Sequence, residues 1–307
     1  MPKFTVEKSV HVTVPADKVF GVVRDFRKWP EWSPWLISEP GCKVGYADDG
    51  RSYSWAGNVV GSGEMVVTGE GEPGSIDYDL TFLKPWKSES KVRFTFVEKD
   101  GGTEITWTMH GALPFFMFWM KPMMIAFVGM DYDRGLAMLK DSLEKGGVPS
   151  ELNFPGVTRS PGFSYVGVKN ACAIKGMADA MERDFKMVKD WVAESGTAPS
   201  GKPFSIYHKW GLVKGVTEYT VGFPVADVPG SLPAGLVSGE QPTCDVYPVK
   251  HTGAYRHLGN AWSAGVMHGR AKVFAQSRKI HPFEVYENDP SEVSEDELLT
   301  VVNFPVK

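Results

Sequence analysis

KPFSIYHKWGLVKGVTEYTVGFPV, at residues 202–225, decides the fold of the second half of the chain, because it returns as HPFEVYENDPSEVSEDELLTVVNFPV at residues 281–306. The opening blocks are offset by 79 residues at Pro203 and Pro282, and the closing blocks by 81 at Pro224 and Pro305. Two matched blocks at nearly the same offset mark an internal repeat. An amphipathic helix precedes each copy. Its apolar face is Ile174, Met177, Met181, Phe185, Val188 and Val192 in the first, and Leu258, Trp262, Val266 and Val273 in the second. Each helix follows a short strand, FSYVGV at 163–168 or CDVYPV at 244–249. The unit is therefore strand, helix, strand, strand, used twice. Pseudo-twofold pairing of two such units leaves a cleft at the junction, a common place for a ligand.

Upstream, PSELNFPGVTRSPG has neither the helical nor the strand period and reads as a linker. The expected division is residues 1–148, a linker at 149–160, and residues 161–307. The first domain alternates in strand fashion at Val6, Lys8, Val10, Val12 and Val14, then at Ile76, Tyr78, Leu80 and Phe82, at Val92, Phe94 and Phe96, and at Ile105, Trp107 and Met109. Pro15 opens a helix with Val19, Val23 and Phe26 on its apolar face. A closing helix carries Tyr132, Leu136, Leu139 and Leu143 and ends at Gly146 and Gly147. Both halves are thus α+β.

Composition narrows the function. The chain has 307 residues, room for about two domains. It is 42% hydrophobic and 23% charged, with 33 Lys plus Arg against 37 Asp plus Glu and a net charge of -4. Without a basic run, direct contact with nucleic acid is not expected. Cys42, Cys172 and Cys244 are odd in number, far apart and form no CxxC pair, which fits a reducing compartment. MPKFTVEKSV lacks the apolar core of a signal peptide, so the cytoplasm is the expected location. LPFFMFWMKPMMIAFVGM, at 113–130, is apolar but cut by Pro114, Lys121, Pro122 and Gly129; it is expected to pack in the core or to gate a cavity rather than to span a membrane. GEGEPG, at 69–74, matches GxGxxG by letter but leads into the strand IDYDLTF, so it is expected to be a hairpin turn. His251, His257 and His268 have no metal-ligand spacing, and neither a metal nor a cofactor is expected.

The first half resembles the START-like and polyketide cyclase/dehydrase (SRPBCC, helix-grip) superfamily. The resemblance is carried by VTVPADKVFGVVRDFRKWPEWSPW at 12–35, GSGEM at 61–65, TEITWTMHG at 103–111 and DRGLAMLKDSLE at 133–144. It implies a curved antiparallel sheet around a long C-terminal helix, enclosing an apolar cavity. Candidate lining residues for that cavity are Trp55, Tyr78, Trp107 and Met109. The second half resembles the GyrI-like effector-binding domain of multidrug-sensing and AraC-type regulators, through HTGAYRHLGNAW at 251–262, HPFEVYENDP at 281–290 and ELLTVVNFPV at 297–306. That resemblance implies binding of small, often cationic or aromatic compounds, with Glu284 central by motif match. Those regulators carry a helix-turn-helix before the effector domain, whereas here a strand-rich domain stands in its place.

Glu284 and Tyr286 are two apart on a predicted strand and share a side, with Phe283 and Val285 turned the other way, toward the helices. The repeat places Ser205 at the position of Glu284, so one acid sits at the centre of a near-symmetric unit. A carboxylate among aromatics is desolvated and its pKa raised unless a cation pairs with it. Tyr207, Trp210, Tyr255 and Trp262 are the candidate aromatic wall, each ring face worth about 0.5–2 kcal/mol to a bound cation. The preferred function is a binding protein, a sensor or sequestering module for a small hydrophobic or cationic molecule. One alternative is a hydrolase that detoxifies electrophilic small molecules, with Glu284 as general base and Tyr286 or Tyr255 as hydrogen-bond donor. A second is a module that docks a protein partner.

Overall fold

Period-two alternation in the first half builds seven strands: β1 (Lys3–Val12), β2 (Lys43–Tyr46), β3 (Ser52–Ala56), β4 (Ser62–Gly71), β5 (Ser75–Lys84), β6 (Ser88–Lys99) and β7 (Gly102–Ala112). The structure, a computed structural model, describes residues 2–71 and 74–307. The chain divides into two compact units, Met1–Ser150 and Glu151–Lys307.

In the first unit the strands form one antiparallel sheet in the order β1-β7-β6-β5-β4-β3-β2. Alternation turns Ile76, Tyr78, Val92, Phe94, Ile105 and Trp107 to one buried face. There they share a core with Val19 and Val23 of α1 (Ala16–Arg24) and with Tyr132, Leu136 and Leu139 of α2 (Lys121–Lys145). Trp107 stacks on Tyr132, with centroids 3.8 Å apart and planes at 15°. The α2 helix ends where Gly146 takes φ +76°, a left-handed cap that costs glycine little. Phe26 is buried as expected, but it opens a 3-10 helix after α1 has ended at Arg24.

One expectation for the first unit needs correction. Residues 115–120 are largely outside the core: they form a 3-10 helix with no buried side chain, of which Met117 packs against the core, while α2 begins at Lys121 and its Met124, Ile125 and Val128 pack as expected. The segment follows Pro114 and runs directly into α2 at Lys121, and apolar composition alone did not reveal its exposure. The GEGEPG segment supplies the end of β4, Gly69 to Gly71, and leads to the antiparallel strand β5; its Glu72 and Pro73 are outside the described residues.

The second unit contains β8 (Ser150–Asn153), β9 (Thr158–Ser160), β10 (Phe163–Ala173), α3 (Met177–Ser195), β11 (Phe204–Gly211), β12 (Val216–Pro224), β13 (Val237–Gln241), β14 (Cys244–Gly253), α4 (Gly259–Arg270), β15 (Phe283–Tyr286) and β16 (Leu299–Pro305). Its sheet runs β13-β10-β12-β11-β15-β16-β14-β8, with β9 also on β14. Residues 149–160 are therefore no free linker, because β8 and β9 join the sheet. Strands of four and three residues are too short to show a period, and edge pairing uses the backbone alone. Val273, expected on the second helix, lies beyond the end of α4 and is exposed.

Sheet register sets the faces. Central strands β11 and β15 pair as Phe204↔Val285, Ser205↔Glu284 and Ile206↔Phe283. Tyr207, Tyr219 and Val221 pack with Met181 and Val188 of α3, and Trp262 of α4 joins them. Phe204, Ile206 and Phe283 pack instead with Tyr165, Cys244 and Val246. Phe283 and Val285 thus face away from the helices, and Glu284 faces toward them. Alternation fixed which residues share a side; only the packing of α3 and α4 fixed which side is covered.

Candidate ligand site around a buried carboxylate

Glu284 is 1% exposed at the centre of the second sheet. Three neutral donors reach it. Tyr207 Oη donates to Oε2 at 3.1 Å and Tyr286 Oη to the same oxygen at 2.5 Å, while Trp262 Nε1 donates to Oε1 at 2.5 Å. Each donor comes from a different element: β11, the far end of β15, and α4. Ser205, the strand partner of Glu284, shares a hydrogen bond of 2.9 Å with Tyr286 Oη.

Burial raises the Glu284 pKa above the ordinary carboxylate value, against the lowering effect of its hydrogen bonds from Tyr286, Trp262 and Tyr207. Burial, and after it the Glu284 charge, lifts the Tyr207 and Tyr286 phenols well above their usual range. Both therefore stay protonated and remain donors. Among the described residues, no lysine, arginine or histidine pairs with the carboxylate, so its charge is held only by dipoles.

Aromatic rings lead from this carboxylate to the surface. Trp262 meets Tyr207 edge-on at 4.9 Å, and Phe185 meets Tyr286 at 5.6 Å. Farther out, Tyr255 lies 5.9 Å from Tyr286 and Trp210 lies 6.0 Å from Tyr207. Those two are 38% and 45% exposed. Trp210 reaches this side because the register of β11 slips between Tyr207 and Lys209. Simple alternation would have turned it to the opposite face.

The five aromatic residues expected around Glu284, namely Tyr207, Trp210, Tyr255, Trp262 and Tyr286, are thus gathered on one face of one unit. Sequence reasoning missed the buried Asp184 of α3, which accepts from Tyr219 Oη at 2.7 Å and from Asn170 Nδ2 at 2.8 Å. Its signal was present: Asp184 is three after Met181 and four before Val188, an acid set on the apolar stripe. The four residues expected to line a cavity in the first unit, Trp55, Tyr78, Trp107 and Met109, are all buried in its core cluster. Tyr78 Oη donates to the Val23 carbonyl at 3.1 Å and Trp107 stacks on Phe94 as well as Tyr132.

The family described as polyketide cyclase/dehydrase and lipid transport matches residues 3–144. No curated protein matches the chain. Solved structures similar to it include the X-ray structure of a protein from Mesorhizobium loti, 15% identical, covering 47% of this chain and 100% of the other at a TM-score of 0.38. A cryo-EM structure of the EcmrR–DNA complex is 14% identical, covers 60% of this chain and 68% of the other, and gives a TM-score of 0.45. The Aha1 dimer from Colwellia psychrerythraea is 15% identical and covers 47% of this chain and 98% of the other, with a TM-score of 0.36.

Proposed function

We propose that this protein binds a small hydrophobic cation, held in its second unit against Glu284, and acts as a sensor or sequestering module. One observation carries the reading: a carboxylate 1% exposed whose partners are all uncharged. An anion taken out of water is costly unless a positive charge compensates it. A cation arriving past Tyr255 and Trp210 meets ring faces first, then the carboxylate, and it gains from both. The family match over residues 3–144 supports small-molecule binding in general terms.

The same reading extends to the fold. The first unit is a helix-grip domain, its sheet closed by α2. The second is a duplicated GyrI-like domain, in which β10-α3-β11-β12 and β14-α4-β15-β16 are copies related by a twofold axis between Ser205 and Glu284. Duplication explains the asymmetry of the centre, since one copy supplies the acid and the other a hydroxyl that steadies Tyr286.

Isothermal titration with tetraphenylphosphonium tests the proposal. The wild-type protein is expected to bind it, and Glu284→Gln to weaken binding at least ten-fold, with less weakening for Tyr255→Ala. Equal affinity in wild type and Glu284→Gln would refute a role for the carboxylate. A second reading, Glu284 as the general base of a hydrolase, draws on its raised pKa. Single-turnover conversion of an electrophilic ester, lost in Glu284→Gln, would favour that reading over simple binding.

A further inference from the structure

Phe115, Phe116, Met117, Phe118, Trp119 and Met120 form a 3-10 helix in which no side chain is buried. Phe115 and Phe116 are 78% and 75% exposed, and Phe118 and Trp119 are 59% and 66% exposed. Four large rings held in water within five residues are unfavourable unless another phase receives them. The register of the sheet puts a second apolar element beside them. Strands β6 and β7 pair as Ser90↔Gly111 and Lys91↔His110, so the β5–β6 turn and the segment after β7 leave the sheet at the same end. The end of β5 and that turn read Leu83-Lys84-Pro85-Trp86-Lys87, and all five residues are exposed.

Three lysines flank these apolar segments, and the nearest acids of the sheet, Glu64 and Glu89, lie on β4 and β6 behind the turn. Residues 83–88 and 113–130 contain Lys84, Lys87 and Lys121 and no aspartate or glutamate. Tryptophan and phenylalanine favour the headgroup level of a bilayer, and lysines beside them meet lipid phosphates. Among the described residues no helix is long and apolar enough to cross a membrane, so this end can dock without spanning. We propose that this end of the first unit docks on an anionic phospholipid bilayer, its 115–119 rings entering the interface and its three lysines facing the phosphates. The proposal stands apart from the carboxylate site, which lies wholly in the second unit.

Co-sedimentation of the full chain with phosphatidylglycerol/phosphatidylcholine vesicles tests it. Binding is expected to be at least ten-fold stronger than to phosphatidylcholine alone and to weaken with salt. The double variant Phe116→Ser/Trp119→Ser, folded by near-ultraviolet circular dichroism, is expected to lose binding at least ten-fold. Brominated phosphatidylglycerol acyl chains should quench wild-type tryptophan fluorescence, a readout that needs no variant. Absent co-sedimentation, equal binding to phosphatidylcholine, unquenched fluorescence or an undiminished double variant each overturns the proposal. So does a concentration-dependent dimer in sedimentation velocity that the double variant abolishes, since the occupant would then be a second copy of the chain.

Discussion

Glu284 and His251 are both buried, and they pull the stability of the second unit in opposite directions as pH changes. The Glu284 pKa is raised by burial, so the folded state holds its proton more tightly than the unfolded chain does. Its charged form costs stability above that raised pKa, and the cost is relieved as pH falls through it. Removing the charge in Glu284→Gln is expected to raise Tm at pH 8, with a gap to wild type that narrows toward pH 5. The His251 pKa is pushed down to about 4, first by burial and then by His257. A histidine depressed in this way contributes stability fully above the ordinary histidine pKa and loses it as pH falls toward about 4. At ~1.4 kcal/mol per unit of pKa this is about 3 kcal/mol. Differential scanning calorimetry from pH 8 to 4 measures both, and His251→Gln should flatten the acid limb. Residue chemistry was readable in advance here: an acid in an aromatic block has to be desolvated. That Tyr207 and Trp262, expected there as ring faces, would answer it as hydrogen-bond donors was not, because Tyr207 lies 77 residues from Glu284 and Trp262 lies on another element.

Between residue and molecule, the approach of α4 to the sheet holds the site together. Gly265 faces Phe304 of β16 so closely that a Cβ there would overlap the ring. Phe304 in turn lies edge-on to Trp262 at 5.4 Å, and Trp262 donates to Glu284. Gly265→Ala is expected to cost about 1–3 kcal/mol through overpacking and to displace the indole from the carboxylate. Urea unfolding gives the first quantity, and weaker tetraphenylphosphonium binding reports the second. A helix was legible here, but the stripe Leu258, Trp262, Val266 and Val273 is not its buried face, which is Asn260, Ala261, Ala264, Gly265 and His268. Its closeness to the sheet was not legible, since a glycine in a helix predicts weakness there until the ring opposite it is known. The slip in β11 that turns Trp210 toward Tyr207 was hidden for the same reason, because a bulge breaks the period from which faces are read.

At the scale of the whole chain, the carboxylate and every group touching it come from Glu151–Lys307. That fragment expressed alone is expected to bind tetraphenylphosphonium within about three-fold of the full chain, as calorimetry can check. A domain of ~150 residues buries enough of its surface to fold by itself. The exposed aromatic helix belongs to Met1–Ser150, so the two proposals divide between the two units and can fail separately.

Sequence by itself determined the α+β class, the alternating core strands of the first half, the recurrence of the 202–225 stretch at 281–306, and the pairing of Glu284 with Tyr286 on one side of a strand. These are local or periodic properties, written in side chains a few residues apart. Only the tertiary structure decided that Glu284 faces the helices, that residues 150–153 and 158–160 join a sheet, and that the rings at 115–119 stand in water. Each of these depends on what packs against a segment from far away in the chain, and hydrophobicity records the tendency to be covered without recording the cover.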